Sequence, residues 1–326
     1  MKFNKGNSLF KRMLNKVPII FTKQYDHTFG GLEEIHPFDS EKYGKIYNYL
    51  VKKVGIDKKR FYTPEMASKE DLLFIHSKEY LSALNHSETI ARIAELKVLS
   101  SVPNDILQNC LLKSVKYATG GTIKGCVLTF EYGWAINLSG GYHHAKADSG
   151  GGFCFFADIP IAVYKLFNNN NTLSIMIIDL DAHQGNGNAS IFKNDNRIHI
   201  FDVYNERIYP GDFGAKKYIE FGYPVMSHIK DLDYLSLLER EIPDAIRKSK
   251  PDIIIYIAGT DIFKEDTLGC MHISEGGIIE RDELVFRNAV KNKIPILMVL
   301  GGGYSKDSAI ITAKSIENIL KNVIIF

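Results

Sequence analysis

Six short apolar runs, spread from one end of the chain to the other, limit most strongly what it can fold into. They cover residues 18–21, 134–138, 173–180, 197–203, 252–258 and 294–300. Several are continuous Ile/Val/Leu/Met rather than alternating, the pattern of strands buried on both faces of a parallel sheet. Their β-branched residues and flanking turn residues favour strand over buried helix. Between them, apolar residues recur at helical spacing: Leu107, Leu111, Val115 and Ala118; Leu235, Leu238 and Ile242; Ala309, Ala313, Ile316 and Leu320. Pro243 is expected to kink or end the second of these helices. Helices alternating with buried strands give an α/β fold, an open and mostly parallel sheet flanked by helices. No Pro/Gly/Ser-rich linker divides the chain, so residues 1–326 are read as a single domain.

Charge and cysteine usage narrow the function classes. The 40 basic and 38 acidic residues are interspersed and leave a net charge of only +2. With no basic stripe, direct binding to nucleic acid is not expected. The four cysteines, Cys110, Cys126, Cys154 and Cys270, form no CxxC pair and read as thiols of a reducing compartment. The basic N-terminus has its apolar residues interrupted by Lys11, Arg12 and Lys16, so it lacks a signal-peptide core. No apolar run has the length of a membrane span. A cytoplasmic location is the expectation.

Four segments lie just beyond the C-terminal ends of expected strands, where open α/β sheets place their ligands. They are Gly140-Gly141-Tyr142-His143-His144, Asp179-Leu180-Asp181-Ala182-His183, Gly259-Thr260-Asp261 and Gly301-Gly302-Gly303-Tyr304. Asp181 and His183, two apart at a strand exit, point to one side and suit a divalent first-row metal such as zinc. An aspartate that merely caps the next helix, beside a solvated histidine, is the plainer alternative. Asp261 ends another buried strand and offers a third ligand, which would leave a position open for water and substrate. The pair His143-His144 suits two proton-handling roles, although a surface or metal-binding pair has the same sequence. Asp179 is placed to orient one imidazole and Asn186 the other. Tyr304 follows three glycines that permit a tight turn, and its phenol suits an oxyanion. A phosphate-cradling loop is the alternative for that glycine run, but no GxxxxGK[ST] or GxGxxG context accompanies it.

Taken in order, GGYHHAKADSGGGFCFFADI (140–159), DLDAHQGNG (179–187), AGTD (258–261) and GGGY (301–304) resemble the zinc-dependent histone deacetylase superfamily. The likeness runs from HPFD (36–39) to the last helix. LEEIHPFD, GGGFC, DAHQGNG, DVYNERIYPGD and ISEGGIIERDELVF bring it nearest to the class IV branch. The resemblance implies a three-layer α/β/α fold of the arginase/deacetylase type. It implies Asp181, His183 and Asp261 as ligands of zinc or ferrous iron, and His144 as general base and acid. His143 would assist through Asp179, and Tyr304 would polarise the scissile carbonyl. Phe153 and Tyr209 would wall an acyl-lysine tunnel, with Leu268 near its mouth and Gly152 giving a backbone carbonyl. A potassium-type site would use backbone oxygens of Asp179, Asp181 and His183, with Asp202 and Val203.

The implied substrate is an acylated lysine in a protein or peptide, with acetylpolyamines as the alternative. Asn186 stands where class I enzymes carry an aspartate, so the partner of His144 is neutral. The acidic rim residue of class I enzymes has no matching motif here; Glu88, Glu95 and Asp105 are the available carboxylates. The two-manganese arginase-type relatives need further carboxylates where this chain has Gly185 and Phe263, which favours a single metal. The run Gly150-Gly151-Gly152 is expected to leave room beside the tunnel. With the likeness to class IV, a branch associated with removing long fatty acyl groups, this points to acyl chains longer than acetyl.

Overall fold

The computed structural model describes residues 16–26 and 39–324. The basic N-terminus and most of the LEEIHPFD motif lie outside those residues. Every expected apolar run contains a strand: β1 (Ile19–Ile20), β2 (Trp134–Asn137), β3 (Ile175–Asp179), β4 (Ile198–Asn205), β6 (Ile253–Ile257) and β7 (Ile296–Val299). A further strand, β5 (Phe221–Val225), completes one sheet of order β1-β2-β7-β6-β3-β4-β5, with every pair parallel. β5 escaped the sequence reading because it is half exposed and contains Pro224. Proline is tolerated there because β5 is an edge strand.

The two-residue period of the strands divides the core into two layers. Met176 and Ile178 face one way, with Ile254, Tyr256 and Met298, against the helices Asp231–Ser249, Glu275–Asn292 and Ser308–Asn322. Ile175 and Ile177 face the other way, with Ile253, Ile255 and Leu297, against Lys113–Tyr132, Asp158–Phe167 and Asn186–Phe192. Each fully buried side chain of this kind contributes roughly 1.5–3 kcal/mol. A third apolar cluster sits apart from the sheet. It joins Leu99, Leu107, Leu111 and Val115 to Phe155 and Phe156.

Pro243 does not end its helix, which runs unbroken from Asp231 to Ser249. The proline is exposed, so the carbonyl it leaves without a donor faces solvent rather than the core. Leu235, Leu238 and Ile242 are buried as expected.

The central neighbours β3 and β6 matter most for function. From β3 the chain moves outward to β4 and β5; from β6 it moves the other way, to β7. Loops leaving adjacent strands in opposite directions open a crevice at the strands' C-terminal edge. Among the described residues, no helix is long and apolar enough to cross a membrane.

Candidate active site

The crevice between β3 and β6 brings Asp181, His183 and Asp261 together. One ligand atom from each lies within 4.8 Å of the others, and all three residues are buried. His183 Nδ1 is 3.1 Å from Asp181 Oδ1 and 2.9 Å from Asp261 Oδ2. One ring proton cannot satisfy both carboxylates, so two buried carboxyl groups and an imidazole face one point that suits a cation. Among the described residues this is the one such cluster of three. Burial would push the Asp181 carboxyl up, but the His143 and His183 imidazoles outweigh it and hold it well below the usual range. Asp261, pushed by burial and by Asp181, rises to about 7. That asymmetry is what two carboxylates crowded together in a buried site produce. The donor set fits a divalent metal of the zinc or ferrous type.

The histidine pair reaches the same point from β2. His143 Nδ1 lies 2.8 Å from Asp179 Oδ2, while His144 Nδ1 lies 2.9 Å from Asn186 Oδ1. The two Nε2 atoms face each other at 3.1 Å. Unlike partners separate the rings electrically. Burial would lower His143, but Asp179 and Asp181 raise it to about 9. Burial, His143 and His183 together drive His144 well below its ordinary value. One ring is therefore a held cation and the other a free base, the pairing that acid–base work needs.

Tyr304 arrives from β7 on the glycine loop. Its ring lies 6.2 Å from that of His183 and 5.7 Å from that of Phe153. Gly302 donates its N–H to Asp181 Oδ2 at 2.7 Å, and a Cβ there would sit 2.6 Å from Asp261 Oδ2. No side chain fits between this backbone and the ligands.

Two spaces meet at these residues. An outer cavity of about 270 Å³ is lined by Gly152, Phe153, Tyr209, Leu268 and Tyr304, with Glu95 also on its wall. The expected tunnel residues are thus together, and Glu95 is the carboxylate at the entrance that no motif identified. An inner cavity of about 100 Å³ continues from His143, His144 and Tyr304 into apolar territory, past Ala94, Leu96, Leu99, Leu111 and Val115. This inner space does not come from the glycine run, contrary to expectation. A Cβ on Gly150 would strike Tyr80 Oη at 2.6 Å, one on Gly151 would press Tyr209 Oη at 3.0 Å, and one on Gly152 would meet His144 at 2.5 Å. Those glycines permit close approach. Ala94, with its short side chain, is among the residues lining the inner space.

Sequence reasoning missed the charges that hold the loops. Fully buried Arg281 donates from Nη1 to the carbonyls of Leu180 (3.0 Å) and Gly259 (2.6 Å), clamping both ligand segments. Buried Asp266 accepts from the N–H groups of Leu268, Gly269, Tyr304 and Ser305. Buried Asp158 accepts from those of Gly141 and Tyr142, fixing the turn before the histidines. Buried Lys42 donates to the Gly302 carbonyl at 2.8 Å. Arg281 and Asp282 did carry a signal. They fall on the apolar stripe of Ile278, Val285, Phe286 and Ala289, where a charge must be paired. Asp158 carried one too, as a lone charge after the run FCFFA. Asp266, in a loop, carried none.

Asp202 sits beside Asp179 on the neighbouring strand, and Val203 is buried next to it. Asp202 Oδ2 accepts from Gly185 N, while its Oδ1 is buried with no hydrogen-bond partner. Burial and the Asp179 charge push this carboxyl well up. A cation in contact with that oxygen would relieve both. Gly185 offers no ligand, and a Cβ there would meet Asp179 Oδ2 at 2.4 Å.

Residues 36–322 match the histone deacetylase domain. The chain is 44% identical over 312 residues to Histone deacetylase 2 of Arabidopsis thaliana, covering 96% of this chain and 81% of the relative. It is 29% identical over 290 residues to an uncharacterized protein of Picosynechococcus, covering 89% and 93%. The crystal structure of the HDA15 HD domain superposes with a TM-score of 0.74 at 18% identity, covering 95% of this chain and 90% of that one. At that identity the likeness speaks for the fold alone.

Proposed function

The chain belongs to the histone deacetylase domain family, and on that premise we propose that it is a metal-dependent lysine deacylase. It would hydrolyse the amide joining an acyl group to the ε-nitrogen of lysine in a protein or peptide. One observation carries the reading. A buried Asp–His–Asp set, two histidines with unlike partners and Tyr304 converge where an entrance meets an apolar chamber. We read residues 1–326 as one catalytic domain, since the described strands share one sheet.

Asp181, His183 and Asp261 would hold a single zinc or ferrous ion. When bound, that ion supplies a Lewis acid that polarises the carbonyl and acidifies water. His144 takes the proton of the attacking water on Nε2, its Nδ1–H remaining donated to Asn186. Asp179 keeps His143 cationic beside the developing negative charge. Tyr304 donates to the oxyanion. His144 returns the proton to the departing lysine nitrogen, so no covalent enzyme intermediate is required. Phe153 and Tyr209 wall the lysine methylenes, Leu268 stands at the mouth, and the Gly152 carbonyl accepts from the substrate. Backbone oxygens of Asp179, Asp181 and His183, with Asp202 and Val203, would hold potassium; the unpartnered Asp202 Oδ1 supports this.

The chamber supports a preference for acyl chains longer than acetyl. A cavity of ~150 Å³ lined by apolar side chains holds a benzene ring, so about 100 Å³ accommodates several methylenes. Each buried methylene contributes about 0.8 kcal/mol. The neutral Asn186 and the DVYNERIYPGD segment support placement with the class IV branch. The four free thiols, Cys110, Cys126, Cys154 and Cys270, suit the cytoplasm. Glu95 supports a second reading, an acetylpolyamine hydrolase, because a carboxylate at the entrance attracts a cationic chain as readily as it clamps a peptide N–H.

The test is hydrolysis of one lysine peptide carrying acetyl, hexanoyl, decanoyl or myristoyl, beside acetylated polyamines. A rise in kcat/KM beyond acetyl is expected. A steady fall from acetyl onward sinks the chain-length reading, and turnover of polyamines alone selects the second function.

A further inference from the structure

Asn186 is a neutral partner for His144, and a neutral amide has two ends of nearly the same size. Turning it over exchanges an acceptor for a donor. With Oδ1 toward the ring, His144 Nδ1 must carry the proton and Nε2 keeps its lone pair. With Nδ2 toward the ring, Nδ1 must accept, and Nε2 would hold the proton at the end where a base needs none. Asn186 alone does not choose between these arrangements.

In the structure the far end of the amide meets a carboxylate. Asn186 Nδ2 lies 3.2 Å from Asp212 Oδ2. An ionised carboxylate only accepts, so it selects the NH₂ end and leaves Oδ1 for His144, at 2.9 Å. Asp212 is itself fixed. Its Oδ2 also accepts from Lys146 Nζ at 3.0 Å, and its Oδ1 accepts from Ala215 N at 3.0 Å, capping the short helix Phe213–Lys216. Burial would raise this carboxyl, but Lys146, the Ala215 N–H and Asn186 outweigh it and hold it at about 2. It is therefore ionised wherever the protein would work. Lys146 lies two residues beyond His144, so the carboxylate is tied back to the loop that carries the base.

We propose that Asp212 is a positioning residue that sets the tautomer of His144 by holding the Asn186 amide with its oxygen toward the ring. The proposal rests on the reading of His144 as the base. Asp212 touches no reacting atom; it acts through Asn186. An aspartate at position 186 would need no such partner, because both of its oxygens accept. A neutral residue there takes its orientation from its neighbours, and Asp212 favours the same tautomer of His144 that a proton on His143 Nε2, 3.1 Å from His144 Nε2, also favours.

The decisive variant is Asp212→Asn, which keeps an oxygen for the Ala215 cap but turns a donor toward Asn186 Nδ2. Asn186 then flips to relieve the clash. In metal-loaded protein with an unchanged melting temperature, kcat should fall roughly 10–100-fold with little change in KM, as when a partner behind a catalytic group is lost. Asp212→Ala, which removes the selection without reversing it, should lose less. Nitrogen NMR of ¹⁵N-histidine protein reads the tautomer without substrate: His144 should be protonated on Nδ1 in the parent and shift toward Nε2 in Asp212→Asn. In an Asn186→Asp background, adding Asp212→Asn should cost no further kcat. An unchanged His144 tautomer in Asp212→Asn, or an equal loss in both backgrounds, overturns the proposal. A parent chain inactive on every acyl-lysine would instead sink the deacylase reading, since the NMR comparison still decides the tautomer.

Discussion

The ligand side of the crevice and the chamber beside it are built on opposite principles. Asp181, His183 and Asp261 follow the ends of β3 and β6, two strands buried along their whole length, and Arg281 clamps the backbone next to them. Their geometry is set by a sheet register that cannot slip without moving an entire core face. The chamber is walled by Ala94, Leu96, Leu99, Leu111 and Val115, which pack in or against an apolar cluster separate from the sheet. These five walls are apolar side chains. A fold can thus hold its chemistry constant on strand ends while adjusting what it accepts through helix packing, where apolar residues of similar volume exchange at little cost.

The largest effect expected is on the ligand side. Asp181→Ala should abolish turnover and bound metal together, and metal analysis of the purified variant checks both. Two tightly held catalytic ions per parent chain would break the single-site reading. Tyr304→Phe comes next. A phenol that strengthens its hydrogen bond as the oxyanion forms should show roughly a 10²–10³-fold loss in kcat on removal, with stability nearly unchanged. Near-normal turnover in the folded variant would show that Tyr304 had been misassigned.

On the chamber side, Ala94→Leu puts three carbons into space that an acyl chain would use. Decanoyl-lysine hydrolysis should fall roughly 10–100-fold in kcat/KM, from lost methylene burial, while acetyl-lysine hydrolysis is retained. Equal losses on both substrates would erase the contrast between the regions. The smallest effect concerns acid. His76, next to Phe156 and Tyr80, accepts from Ala157 N through Nε2, and burial lowers its pKa to about 4. Between about 6.5 and 4 the unfolded chain binds the proton that the folded one refuses. Stability should therefore be lost as pH falls through that window. His76→Gln should remove on the order of 2 kcal/mol of that pH dependence, read from denaturation midpoints at pH 7 and 4.5. Parallel acid sensitivity in parent and variant would clear His76 of the role.

The same contrast explains what could be read without coordinates. Continuous apolar runs announce parallel strands, and polar residues at their ends announce a crevice, so six strands and the meeting of Asp181, His183, Asp261, His143, His144 and Tyr304 were legible. β5 was not, because an edge strand carrying Pro224 lacks a buried run. The chamber was not, because Leu99, Leu111 and Val115 look like any helix core, and the space among them depends on long-range packing. The glycine run misled for the same reason. Absence of a side chain signals either open room or a close neighbour, and only tertiary contacts tell which. Asp266 was hidden in a loop with no periodicity to mark it.

That last carboxylate has a consequence for anyone reshaping the site. Asp266 suspends Leu268 at the mouth and Tyr304 beside the ligands from one pair of oxygens. The mouth and the proposed oxyanion donor therefore share a hinge pin. A substrate that leans on the door also leans on the tyrosine, so selectivity engineered at the mouth will surface in turnover number as well as in recognition. The far walls of the chamber, Ala94, Leu96, Leu99, Leu111 and Val115, are not held by Asp266, and recutting them should leave that hinge alone.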